Sequence, residues 1–124
     1  MKGLYYYMQD CKVNILGTEW SIKFGNEQDY PALKDNDGYT DSSVREIIVD
    51  NFARSEKDPE RKKNIEEYGK RVIRHELIHA FLTESGLDGN GHYADHWEFN
   101  EEMVDWIAIQ SPKIFEIFKE LDLL

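Results

Sequence analysis

A chain of 124 residues and 14.7 kDa can bury a core without disulfide staples and fits one domain spanning residues 1–124. Its 40% hydrophobic and 13% aromatic content excludes a globally disordered polymer. The net charge of −10 excludes a duplex nucleic-acid binder, which needs positive surface to neutralise phosphates, and argues equally against docking on anionic membranes.

From Met1 to Asp10 the chain has three tyrosines but no apolar run of signal length, and no later stretch reaches the roughly 20 apolar residues of a membrane span. The expected location is the cytosol. Cys11 is the sole cysteine, so neither an intrachain disulfide nor a cysteine-based zinc cluster can form; it is expected as a half-buried strand residue. Val13 and Ile15, then Trp20, Ile22 and Phe24, alternate with polar residues around Gly17-Thr18, which predicts a β-hairpin. Asn26 to Asp37 is polar, with Pro31 and the cluster Asp35-Asn36-Asp37-Gly38 marking a loop. That cluster is a turn and not a calcium loop. With Gly38 set as the invariant glycine, Leu33 and Val44 fall where the first and last ligands belong.

Gly38-Tyr39-Thr40 and Glu46-Ile47-Ile48-Val49-Asp50 read as two further short strands joined at Asp41-Ser42-Ser43. Asp58 is a good N-cap and Pro59 a good first helical residue, so a long helix is expected from there to Glu84, stopped by Gly86. Its core stripe is Ile65, Tyr68, Val72, Ile73, Leu77 and Phe81, and Gly69 weakens it by about 1 kcal/mol relative to alanine. A glycine-rich loop follows to Ala94. A second helix is expected to start between Asp95 and Asn100 and end near Gln110, and Ser111-Pro112 to restart a short amphipathic helix with Ile114, Phe115, Phe118 and Leu121. Strands first and helices last predict an α+β domain: a small antiparallel-rich sheet packed on the long helix, then the second helix and the short C-terminal one. Trp20, Trp97 and Trp106 are assigned to the core, since no basic residues interleave with them for base stacking.

The informative segment is His75-Glu76-Leu77-Ile78-His79, inside the long helix. Four residues are about 1.1 turns, so both imidazoles leave one face roughly 6 Å apart along the axis and can meet one ion at the ~2.0–2.1 Å typical of zinc. Glu76 is offset from that pair and can approach the open side of the ion, where it accepts a proton from water. The flank Leu77, Ile78, Ala80 and Phe81 is apolar, which makes uncompensated imidazoles costly there. A catalytic zinc takes three protein ligands and keeps one open position. Asn100-Glu101-Glu102-Met103-Val104-Asp105 supplies the third: Glu101 reaches the ion, and Asp105, one turn on, accepts the other N–H of a ligating histidine. His92, His96, Glu98 and Glu102 stand as alternatives to Glu101.

The H-E-x-x-H motif, followed some twenty residues later by N-E-x-x-x-D, is similar to the gluzincin pattern of thermolysin-like peptidases. That resemblance implies His75, His79 and Glu101 as zinc ligands, Glu76 as general base, and Asp105 and Asn100 as their supporting partners. The short chain and the Gly-Tyr…Ile-Ile-Val-Asp hairpin before the helix look more like the ImmA/IrrE family and related small phage-type metallopeptidases. The likeness spans roughly residues 37 to 110, with a His79-to-Glu101 interval slightly longer than in thermolysin. The metzincin pattern is absent, with Leu82 and Ser85 where it needs its glycine and third histidine.

These readings predict a zinc peptidase acting on a peptide or protein. His92, Tyr93, His96 or Tyr39 would stabilise the oxyanion, and an edge strand such as Glu46 to Asp50 would take extended substrate by β-augmentation. The same sequence fits a zinc-binding regulatory module without turnover, or a metal-free interaction domain presenting Phe115 and Phe118.

Overall fold

The computed structural model describes residues 6–53, 63–87 and 100–124. Strand β1, Cys11–Ile15, turns into β2, Thr18–Gly25, through Leu16 and Gly17, both at positive φ (51° and 95°). A two-residue loop with positive φ at both positions follows the right-handed twist of the strands it joins. The turn thus sits one residue earlier than the Gly17-Thr18 pair suggests, and the Asn14 side chain accepts the Gly17 N–H at 2.7 Å. After a 3-10 turn at Pro31–Lys34 come β3, Gly38–Asp41, and β4, Glu46–Asp50.

The sheet order is β1-β2-β4-β3. β1 pairs antiparallel with β2, β3 pairs antiparallel with β4, and β2 runs parallel to β4 with Ile22 opposite Ile47 and Phe24 opposite Val49. That register puts Trp20, Ile22, Phe24, Ile47 and Val49 into one buried cluster. It also makes β4 an interior strand, so the open edge beside the helices belongs to β3, not to Glu46–Asp50. Five consecutive residues rich in Ile and Val suit a strand covered on both sides.

Helix α1 runs Ile65–Glu84, starting at an Asn64 cap whose side chain accepts the Glu67 N–H at 3.2 Å. The expected start at Asp58-Pro59 lies outside the described residues. Ile65, Tyr68, Val72, Ile73, Leu77 and Ala80 face the sheet cluster, whereas Phe81, expected on the same stripe, is 43% exposed. Gly69 has a packing reason: a Cβ there would collide with the Tyr7 hydroxyl and lie 3.1 Å from Met8 Cε. At the far end, Glu84 accepts from Trp20 Nε1 and from Arg45 Nε, both at 2.7 Å, clamping the last turn of α1 to the sheet.

Helix α2 is continuous from Glu101 to Glu120, and Ser111-Pro112 does not divide it. Proline at 112 removes the N–H that would bond the Ala108 carbonyl, a loss that costs about 3 kcal/mol or more in an ordinary helix interior. Ala108 is fully buried, and Arg74 Nε of α1 donates to that carbonyl at 2.7 Å. The neighbouring helix therefore supplies the missing donor, which is why a residue that reads as a stop is carried through. Trp106, expected in the core, lies on the outer face at 58% exposure, and Cys11 is exposed on its strand. Trp97 lies outside the described residues. The architecture is α+β, and no helix among the described residues is long and apolar enough to cross a membrane.

Arg74→Met should destabilise the fold by about 1–3 kcal/mol in urea unfolding, the usual penalty for orphaning a buried carbonyl. In a Pro112→Ala background, which restores an N–H at that carbonyl, the same change should cost less; strictly additive effects would separate Arg74 from the proline. A second expectation concerns acid. Hydrogen bonds from Arg45 and then Trp20 hold the Glu84 carboxyl below its ordinary 4.5. Their contribution is therefore present above pH 4.5 and lost as pH falls through the lowered folded value. Glu84→Gln should flatten the decline of melting temperature below pH 4.5, and an unchanged decline would assign it to other carboxylates.

Candidate metal centre

Helical spacing carries the first half of the site. His75 and His79 project from one face of α1, with ring centroids 5.0 Å apart and planes at 60°. His79 is nearly enclosed at 7% exposure, and His75 is half-covered.

Helix α2 brings the second half. Asn100 caps it, its side chain accepting the Met103 N–H at 3.0 Å, so the first helical residue is Glu101. The Glu101 carboxylate spans both imidazoles: one oxygen lies 2.8 Å from His75 Nε2 and the other 3.1 Å from His79 Nε2. One turn on, Asp105 places one oxygen 3.4 Å from His75 Nδ1 and the other 2.8 Å from Arg71. Asp105 thus sits behind the ring that Glu101 meets in front, with Arg71 holding it from the side.

The donor set fits a cation. His75 faces a carboxylate at each ring nitrogen, yet a neutral imidazole carries one proton and can donate to only one of them. His79 presents its own Nε2 to the same Glu101. Glu76 feels the Glu101 charge across this centre, and Arg71 pairs with Asp105 at its side. A divalent ion between the two Nε2 atoms and Glu101 would replace protons there and leave Nδ1–H of His75 for Asp105. One ligand atom from each of His75, His79 and Glu101 lies within 4.8 Å of the others, close enough for a shared ion after small adjustment. Two imidazole nitrogens and a carboxylate oxygen are a zinc-like donor set.

Glu76 leaves the same helix toward β3 and is 7% exposed. Its carboxyl accepts from Thr40 Oγ1 at 2.8 Å. Burial pushes this carboxyl above its ordinary value, while the Thr40 hydrogen bond and the two imidazoles pull it back. Glu76, His75, His79 and Glu101 line a cleft of about 500 Å³ whose opposite wall is Asn36, Gly38, Tyr39 and Thr40. The Tyr39 side chain alternates to the opposite face of β3, near Tyr30, Asp41 and Glu46, where burial holds its phenol above its ordinary value. A smaller hollow of about 210 Å³ adjoins it, lined by Asp37, Tyr68, Arg71 and Asp105.

Of the residues singled out from sequence, His75, Glu76, His79, Glu101 and Asp105 therefore meet at one place. Asn100 contributes by starting the helix at Glu101, its side chain being used as the cap. Glu102 is exposed and stands outside the cluster, while His92, Tyr93, His96 and Glu98 lie outside the described residues. Thr40 and Arg71 were not anticipated. Arg71 carries a usable signal, since it precedes His75 by one helical turn and so shares its face. Thr40 carries none, because its partner is 36 residues away. No known protein family, curated protein or solved structure matches this chain.

Zinc titrated into chelator-treated protein should bind one ion per chain and raise the melting temperature, by about 2.7 kcal/mol of stabilisation at 100 times Kd. Asp105→Ala should weaken binding by roughly 10–100-fold, as expected for loss of a group that orients a ligand. Glu101→Ala should weaken it further still; zinc affinity indifferent to Glu101 would remove that residue from the centre.

Proposed function

We propose that the chain is a zinc-dependent peptidase of the gluzincin type, similar to the small ImmA/IrrE and phage-type enzymes. The observation that carries this reading is the convergence of His75, His79 and Glu101 beside a buried carboxylate, Glu76, in a cleft walled by an open strand edge. A zinc ion held by the three ligands would polarise the scissile carbonyl and acidify water. Glu76 takes a proton from water as the water oxygen bonds to the carbonyl carbon. It then hands that proton to the amine nitrogen as the C–N bond breaks. Asp105, braced by Arg71, keeps the His75 ring in place throughout. The donor for the developing oxyanion is not Tyr39, whose side chain alternates to the face of β3 opposite Gly38 and Thr40, beside Tyr30, Asp41 and Glu46.

Strand β3 supports a peptide as substrate. The Asp50 N–H bonds the Asp37 carbonyl at 2.8 Å, and alternation along an antiparallel pair then directs the backbone groups of Tyr39 and Asp41 toward β4. Those of Gly38 and Thr40 face the open edge, where an extended backbone can pair beside the metal centre. The substrate on this reading is a peptide or protein segment in extended form, met in the cytosol. The acidic surface, with its net charge of −10, is consistent with a partner that is not nucleic acid.

Glu76→Gln should keep zinc with affinity within about tenfold of wild type while hydrolysis of a peptide library falls by roughly 10²–10⁴-fold. Full activity in that variant would remove the base. Wild-type protein that binds zinc and cleaves nothing in the library would point to a regulatory zinc module instead.

A further inference from the structure

We propose that Thr40 is a positioning residue for Glu76, tying the general base to the strand that receives the substrate. The inference rests on the peptidase reading for its kinetic consequence, but its geometric content stands separately.

A glutamate side chain has three rotatable bonds, so a base on a helix does not aim itself. Thr40 Oγ1 lies 2.8 Å from Glu76 Oε1 and 3.2 Å from the Glu76 main-chain oxygen. The hydroxyl has one proton, and the closer, charged carboxylate is the stronger acceptor. That bond anchors Oε1 of a carboxyl that lines the cleft, and the proposal assigns the other oxygen, Oε2, to the proton transfer. Thr40 is itself stiff: it is β-branched, and its strand position is set by pairing opposite Ile47, whose side chain is fully buried.

Gly38, two residues earlier on the same face of β3, makes the contact reachable. A Cβ there would lie 2.9 Å from Val72 Cγ1 and 3.3 Å from Glu76 Cγ, so glycine lets α1 come close enough for the hydroxyl to reach the carboxylate. The backbone N–H and C=O of Thr40 face the open edge of the sheet, while its side chain holds the base. A peptide registered on β3 is thereby registered against Glu76 by a single residue. Errors of about 1 Å in such alignment can cost 10²-fold in rate, so the effect belongs in kcat.

The test compares Thr40→Val, which keeps shape and strand preference without the hydroxyl, with Thr40→Ser, which restores the hydroxyl. Both should bind one zinc per chain. Thr40→Val should lower kcat by about 10–100-fold with KM changed by no more than about twofold, and Thr40→Ser should recover to within a few-fold of wild type. Crystal structures of the zinc-loaded proteins should show Glu76 Oε1 on the residue-40 hydroxyl in wild type and Thr40→Ser, and swung away in Thr40→Val. Thr40→Ala provides the same comparison if Thr40→Val does not fold. An unmoved Glu76 in the hydroxyl-free variant, wild-type kcat there, or a serine variant as slow as valine overturns the proposal. If wild type binds zinc but cleaves no peptide, the peptidase reading fails, and the position of Glu76 in the crystals still decides whether Thr40 holds it.

Discussion

The Glu101 carboxylate lying across two imidazoles of a different helix is the contact on which the site depends. Neither helix makes the centre alone. Helix α1 supplies two nitrogens on one face and α2 supplies the anion in its first turn, where a negative group is also favoured by the helix dipole. The place where α2 crosses α1 therefore decides whether the residues form a site or two unrelated surfaces. Two further contacts hold that crossing: Arg71 to Asp105, and Arg74 to the Ala108 carbonyl. Both arginines lie within one turn of His75, so the segment that bears the histidines also binds the helix that completes them.

Carboxylates crowd this centre, and the fold handles each differently. Glu101 remains largely exposed and can adjust around an ion. Asp105 is shared between an arginine and a ring nitrogen. Glu76 is buried, and its ionised form is favoured mainly by the Thr40 hydroxyl and the imidazoles, against a larger burial penalty. Three acids of similar intrinsic chemistry are thus set apart by exposure and partner, a separation that the proposed roles of ligand, orienting group and base would use.

The sheet matters to the site through its edge. Because β4 is paired on both sides, the short polar strand β3 is left facing the cleft, with Gly38 and Thr40 turned toward α1. A sheet built for packing thereby presents a backbone edge within reach of the buried glutamate, and the same strand forms one wall of the cleft that His75, His79 and Glu101 line.

Local chemistry was legible in the sequence. Alternation in Trp20, Ile22 and Phe24 gives the strand and its inner face, because side chains on a strand repeat every second residue. The interval between His75 and His79 places both on one helix face, and Asn100 followed by acidic residues marks a helix start. Periodicity defines faces, however, and says nothing of what covers them. Phe81 and Trp106 lie at positions that read as core but look outward, and Pro112 passes through a helix only because Arg74 donates from the neighbouring one. The choice of β3 as the open edge, the hydroxyl of Thr40 on Glu76 and the meeting of Glu101 with both imidazoles all join residues far apart in the chain. Local spacing has no term for such pairings; they follow from how the sheet and two helices share one core.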